Sequence, residues 1–271
     1  FWSGLAVGGQ IMTRFHKFLH AALATLALAA VTLPAFAQIP ASERQVLVDL
    51  YSNTQGTSWT NNSGWLGAVG TECTWFGIIC DAGNGHVAGI DLGSNHLVGP
   101  LPSLSGLTSL QYFRVDRNQL TGLIPPLSGL TSLQHFRVDS NQLYGPIPSL
   151  SGLTSLQLFS VGSNQLTGSI PSVSGLTSLA YFYVYNNHLT GPIPPLSGLT
   201  SLQVFFGYDN HLTGSVPTLS GLTSLQSFDV GGNQLAGSFP SLSGLTLLKD
   251  FVVQNNQLNG TIPPLSGLTS L

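Results

Sequence analysis

Leu110-Gln111-Tyr112-Phe113-Arg114-Val115-Asp116-Arg117-Asn118-Gln119-Leu120-Thr121-Gly122, running on to Pro126-Leu127-Ser128-Gly129-Leu130-Thr131-Ser132, is the stretch on which the fold turns. Its asparagine recurs every 23 residues, at Asn95, Asn118, Asn141, Asn164, Asn187, Asn210, Asn233 and Asn256, each followed two residues on by leucine. A fixed period of this length marks a stacked solenoid: one unit is too small to bury its own apolar face, and its neighbours complete the core. Within the unit, Leu110 to Val115 alternates apolar and polar as a half-buried strand does. Leu110, Phe113, Val115 and Leu120 are expected to point inward, and Tyr112, Arg114 and Asp116 outward. Stacking at roughly 4.8 Å, the distance between hydrogen-bonded strands, makes one aromatic ladder of Phe113, Phe136, Phe159, Phe182, Phe205, Phe228 and Phe251. The asparagines stand where each strand must turn, and their amides can bond backbone groups that the turn leaves unpaired.

Outside the repeat, the 271-residue chain carries a net charge of −3, with only 6% charged and 42% apolar residues. Seven Lys and Arg in all argue against nucleic-acid binding. The apolar content argues against disorder. Residues 1–11 precede the only methionine and read as an upstream non-native segment. Residues 12–37 read as a signal peptide: Arg14 and Lys17, the uncharged run Ala21–Leu33, then Ala35-Phe36-Ala37 as the cleavage pattern. That run is too short to span a bilayer, and no transmembrane segment is expected within the chain. Export implies an oxidising compartment, secreted, periplasmic or at the cell surface, and favours a Cys73–Cys80 disulfide.

The pattern Leu-x-x-Phe-x-Val-x-x-Asn-x-Leu-x-Gly-x-Ile-Pro resembles the plant-type subclass of extracellular leucine-rich repeats, over Val87–Leu271. Phe and Val replace two of the usual leucines, and the unit is one residue shorter than the subclass commonly shows. Cys73-Thr74-Trp75-Phe76-Gly77-Ile78-Ile79-Cys80 is similar to the signature of that family's N-terminal cap, placed at residues 38–86. Glu43–Tyr51 has a helical apolar face, with Ser42 as its expected N-cap, and Trp59 and Trp65 are expected to pack between this helix and the first strand. The resemblance implies an α/β-type repeat solenoid: a right-handed leucine-rich-repeat coil with a concave parallel β-sheet and little regular helix outside the cap. Residues 87–271 then hold eight Asn-x-Leu units and stop in a ninth, as a truncated solenoid would. It also implies a role in binding other molecules.

Scaffold positions barely change between units, so function is expected in what varies. From Ala82 onward the ten charged residues are Asp91, Arg114, Asp116, Arg117, Arg137, Asp139, Asp209, Asp229, Lys249 and Asp250. All occupy outward slots of the strand or its exit. Arg114, Asp116, Arg137 and Asp139 are expected as a two-by-two array of surface ion pairs. Two units on, the same slots turn aromatic, at Tyr181, Tyr183, Tyr185, Phe206 and Tyr208, a composition favoured at binding interfaces. These nine residues form the expected ligand-contact region. Gly207 replaces an inward Val, so a local slip could turn Phe206 inward. No catalytic constellation, metal site or cofactor motif emerges, and an enzyme is not expected; His96, His188 and His211 occupy a turn slot. The leading reading is a recognition module for a protein, peptide or glycan. One alternative is an inhibitor of secreted cell-wall-degrading hydrolases. The other is binding to an ordered surface, ice or crystalline polysaccharide, by the recurrent Ser/Thr of the linkers, Thr108 through Thr269.

Overall fold

A computed structural model describes residues 38–271; the stretches expected as an upstream segment (residues 1–11) and a signal peptide (residues 12–37) lie outside the described residues. Among the described residues, the long nine-stranded sheet opens with the antiparallel pair Ile78–Cys80 and Val87–Asp91. Seven strands of three residues follow in parallel: Tyr112–Arg114, His135–Arg137, Leu158–Ser160, Tyr181–Tyr183, Val204–Phe206, Ser227–Asp229 and Asp250–Val252. Each pairs with the equivalent residues one unit away, as in Phe113↔Phe136 and Arg114↔Arg137. A second, broken line of short strands follows the asparagines, including Tyr144–Pro146, Gln165–Ser169, His188–Gly191 and His211–Leu212.

Two internal ladders hold the coils together. The phenylalanines stack from Phe113 to Phe251 with centroids 5.1–5.8 Å apart and ring planes within 27° of parallel. The asparagines stitch each coil to the one before it. Asn141 Oδ1 accepts from Leu120 N at 2.9 Å, while its Nδ2 donates to Val115 O and Val138 O, both at 3.0 Å. The amide therefore satisfies both a donor and acceptors of the buried backbone, a set that neither a carboxylate nor an aliphatic side chain could match.

The residue before each asparagine is left-handed: Ser94 (φ 53°), Arg117 (54°), Ser140 (57°), Ser163 (52°), Asn186 (48°), Asp209 (52°) and Asn255 (53°), with Gly232 at the same slot (63°). That slot is a turn residue, which accounts for its small, polar or Gly composition better than exposure alone.

The N-terminal segment is built differently. The helix Ala41–Asn53 starts after Pro40, with no side-chain cap, so Ser42 is its second residue rather than its N-cap. The fixed φ of proline sets the start without a hydroxyl. Tyr51, Trp59, Trp65 and Trp75 form an aromatic cluster, with Trp59 and Trp65 4.8 Å apart and Trp65 and Trp75 5.1 Å apart. Cys73 and Cys80 are joined as a disulfide. Glu43 is buried and binds the helix to the strand Val87–Asp91, its Oε2 accepting from Val87 N and its Oε1 facing His86 Nδ1, each at 2.7 Å. Arg44 pairs with buried Glu72 and donates to Gly67 O at 2.7 Å.

Candidate functional site

The outward face of the long sheet carries three residues per strand-and-exit, at alternate positions, because successive side chains of a strand point to opposite faces. The middle row reads Asp91, Arg114, Arg137, Ser160, Tyr183, Phe206, Asp229, and the exit row Gly93, Asp116, Asp139, Gly162, Tyr185, Tyr208, Gly231. Sequence reasoning places all nine expected contact residues on this face, and the strand register puts Arg114 beside Arg137 and Tyr183 beside Phe206.

The charged array is not the solvated one expected. Asp116 is wholly buried and Asp139 is only 6% exposed. Arg114 Nε donates to Asp116 Oδ1 at 2.6 Å, and its Nη1 donates to Asp91 Oδ2 at 3.5 Å. Arg137 lies 3.9 Å from Asp116 Oδ2 and 3.6 Å from Asp139 Oδ1, and Arg117 is 4.0 Å from Asp116. Asp116 is covered because its side chain and that of Arg114 lean over Gly93, where a Cβ would meet Asp116 Oδ1 at 2.9 Å and Arg114 Nε at 3.0 Å. The bond to Asp116 raises the pKa of Arg114 above that of a free guanidinium. Among the described residues, Asp116 Oδ2 and Arg137 Nε are buried side-chain atoms without a hydrogen-bond partner.

The aromatic residues behave differently. Tyr181, Tyr183, Tyr185, Phe206 and Tyr208 all face outward and are half-buried. Tyr185 and Tyr208 stack at 4.9 Å and 11°, Tyr183 and Phe206 lie 5.4 Å apart, and Phe206 and Tyr208 6.0 Å. No slip occurs at Gly207: Tyr183↔Phe206 and Phe206↔Asp229 keep the common register, and the Phe205 ring moves into the space a valine would take, 2.9 Å from a Cβ on Gly207. Burial raises the phenol pKa of Tyr183, Tyr185 and Tyr208, so all three remain protonated donors near neutral pH.

What sequence reasoning missed is the unit between the two groups. Ser160 and Gly162 occupy the slots that hold Arg137 and Asp139 on one side and Tyr183 and Tyr185 on the other. The Tyr185 ring folds over Gly162, 2.6 Å from where a Cβ would stand, and Ser160 Oγ donates to Asp139 Oδ1 at 2.8 Å. An open depression of about 200 Å³ results, lined by Arg137, Asp139, Ser160, Tyr183, Tyr185, Phe206 and Tyr208. Six of these seven were expected contacts. Tyr181, whose hydroxyl donates to Gln203 Oε1 at 3.0 Å, stays outside it, as do Arg114 and Asp116.

No family model matches the sequence, and no curated protein matches it. Among solved structures, the chain is similar to the LRR ectodomain of the plant membrane receptor kinase GASSHO1/SCHENGEN3 from Arabidopsis thaliana, in complex with CASPARIAN STRIP INTEGRITY FACTOR 2. The TM-score is 0.67 at 30% identity, over 82% of this chain and 30% of that one. The PEPR1–AtPEP1 structure also superposes with a TM-score of 0.67, at 26% identity, over 85% of this chain and 37% of that one. The chain is a leucine-rich-repeat solenoid. It spans about a third of the length of those two relatives. A plant ice-binding protein shares the leucine-rich-repeat fold at 23% identity and a TM-score of 0.55, over 84% of this chain and 90% of that one.

Proposed function

We propose that this chain is an extracellular recognition module that captures a protein, peptide or glycan on the face of the long sheet, in the depression between Arg137 and Tyr208. The observation that carries the reading is that depression: four aromatic rings, none needed by the core, adjoin a charged pair and a serine hydroxyl. Exposed rings cost solubility, and tyrosine offers an interface a rigid apolar body with a polar tip. The ectodomain solved with a bound factor supports a binding role. The disulfide fits an exported protein, with the Cys73–Cys80 segment as the N-terminal cap. An inhibitor of secreted hydrolases differs from this reading only in its partner.

Replacing Tyr183, Tyr185 and Tyr208 together with Ala tests it. Ligands captured from arrays of secreted peptides and oligosaccharides should be lost by the triple variant. Its melting temperature should move by no more than about 2–4 °C, the shift worth about 1 kcal/mol in a chain of this size. Capture retained by the variant overturns the proposal.

A second reading has one observation in its favour. Thr108, Thr131, Thr154, Thr177, Thr200, Thr223, Thr246 and Thr269 are all exposed, forming a regular hydroxyl line on the linkers. Binding to an ordered surface such as ice would use that line, and an ice-recrystallisation assay without activity removes it.

A further inference from the structure

We infer that the depression takes one pyranose ring of a neutral glycan chain. The inference rests on the sheet-face reading and narrows its ligand to one chemistry.

Size is the first constraint. At about 200 Å³ the depression is smaller than a drug-sized ligand site, which runs to roughly 300–1,000 Å³. It has room for a single ring, with the remainder of a chain lying along the open face. The shape follows from Ser160, a short side chain in the slot that holds Arg137 one unit earlier and Tyr183 one unit later.

Charge is the second. Arg137 and Asp139 lie on one wall, 3.6 Å apart. A carboxylate ligand would gain the guanidinium and meet Asp139; an ammonium would gain Asp139 and meet Arg137. A neutral group that both donates and accepts satisfies both. Vicinal hydroxyls do this, one accepting from the guanidinium and the other donating to the carboxylate. The guanidinium can be reached for this, because the Arg137 side chain is 34% exposed and stands 3.6 Å from Asp139 Oδ1, beyond hydrogen-bond length.

The opposite wall is the third. The C–H face of a pyranose is apolar while its rim carries hydroxyls. The Tyr183–Phe206 and Tyr185–Tyr208 pairs offer ring surface ending in phenol hydroxyls that are protonated at neutral pH. An aromatic peptide side chain could stack on the same rings. It would strip water from Arg137 and Asp139 without replacing the lost bonds, an outcome that costs affinity.

The test titrates the folded chain with cellohexaose, chitohexaose and mannohexaose, with an oligogalacturonide and a tyrosine-rich peptide as comparators. Calorimetry and amide chemical shifts are the readouts. A neutral hexasaccharide should bind and move the amides of residues 158–162, 181–185 and 204–208. Phe206→Ala should weaken it by about tenfold or more, the factor worth about 1.4 kcal/mol. Ser160→Arg should abolish binding by filling the depression with the residue its slot already accepts at Arg114 and Arg137, and an unchanged melting curve will show that the variant is folded. Absence of binding by every neutral hexasaccharide overturns the inference, as does binding of the oligogalacturonide alone. Binding of the peptide alone, with shifts at the same amides, overturns the glycan and leaves the sheet-face reading standing. Ligands whose shifts avoid these amides sink both.

Discussion

The charged stretch around Arg114–Asp139 and the aromatic stretch around Tyr181–Tyr208 occupy the same slots of the same sheet, yet their side chains are used in opposite ways. The charged one is turned on itself: Asp116 is buried beneath Arg114, and the arginines and aspartates bridge three successive units. The aromatic one leaves each ring partly exposed, and its rings pack on one another across the two units. A repeat scaffold thus fixes where a side chain emerges without fixing whether it faces solvent. Neighbours one unit away decide that, since every outward residue is flanked by its equivalents at strand spacing. The unit that separates the stretches, with Ser160 and Gly162, lets their edges meet.

The two stretches depend most on the unit that separates them. Phe159 is fully buried and stacks on Phe136 and Phe182, each at 5.6 Å. Phe159→Ala should cost about 3–5 kcal/mol in denaturant unfolding, and loosen both stretches together. Next in size, Asp116→Ala should cost about 1–3 kcal/mol, because it strands a partly buried guanidinium; an exposed pair would lose about 0–1 kcal/mol. A loss at the exposed-pair level would mean that the charged stretch is no more structural than the aromatic one. Smaller still, Gly162→Ala should cost about 0.5–1.5 kcal/mol by driving the Tyr185 ring off its rotamer, while ligand binding at the depression falls more than stability does.

The smallest effect lies off the face and sets the background for the others. Hydrogen bonding to Glu43 raises the pKa of His86 above its usual 6.5. The protonated imidazole therefore favours the folded state, a contribution complete below pH 6.5 that is lost as pH rises through the raised value. Melting temperatures measured across that window should fall with pH, and His86→Gln should flatten the slope.

Much of the scaffold was readable from residues alone. Asn118 and its equivalents announce the coil, and Phe113 with Val115 assigns the inward row. Both depend on a strict period and on alternation, properties of local covalent geometry. The burial of Asp116 was not readable, because spacing gives a row but not the direction in which a side chain leans across it. Nor was the start of the helix, where Pro40 replaced the hydroxyl expected of Ser42. The depression left a trace that could have been read: a short Ser160 between Arg137 and Tyr183 in one row.

By itself the sequence determined the repeat, the two internal ladders and the identity of the outward residues, because a 23-residue period leaves one way to bury those leucines and phenylalanines. Only the tertiary structure decided which outward residues remain available. That depends on which neighbour covers them, and the neighbours are brought together by stacking across 23 residues rather than by adjacency in the chain.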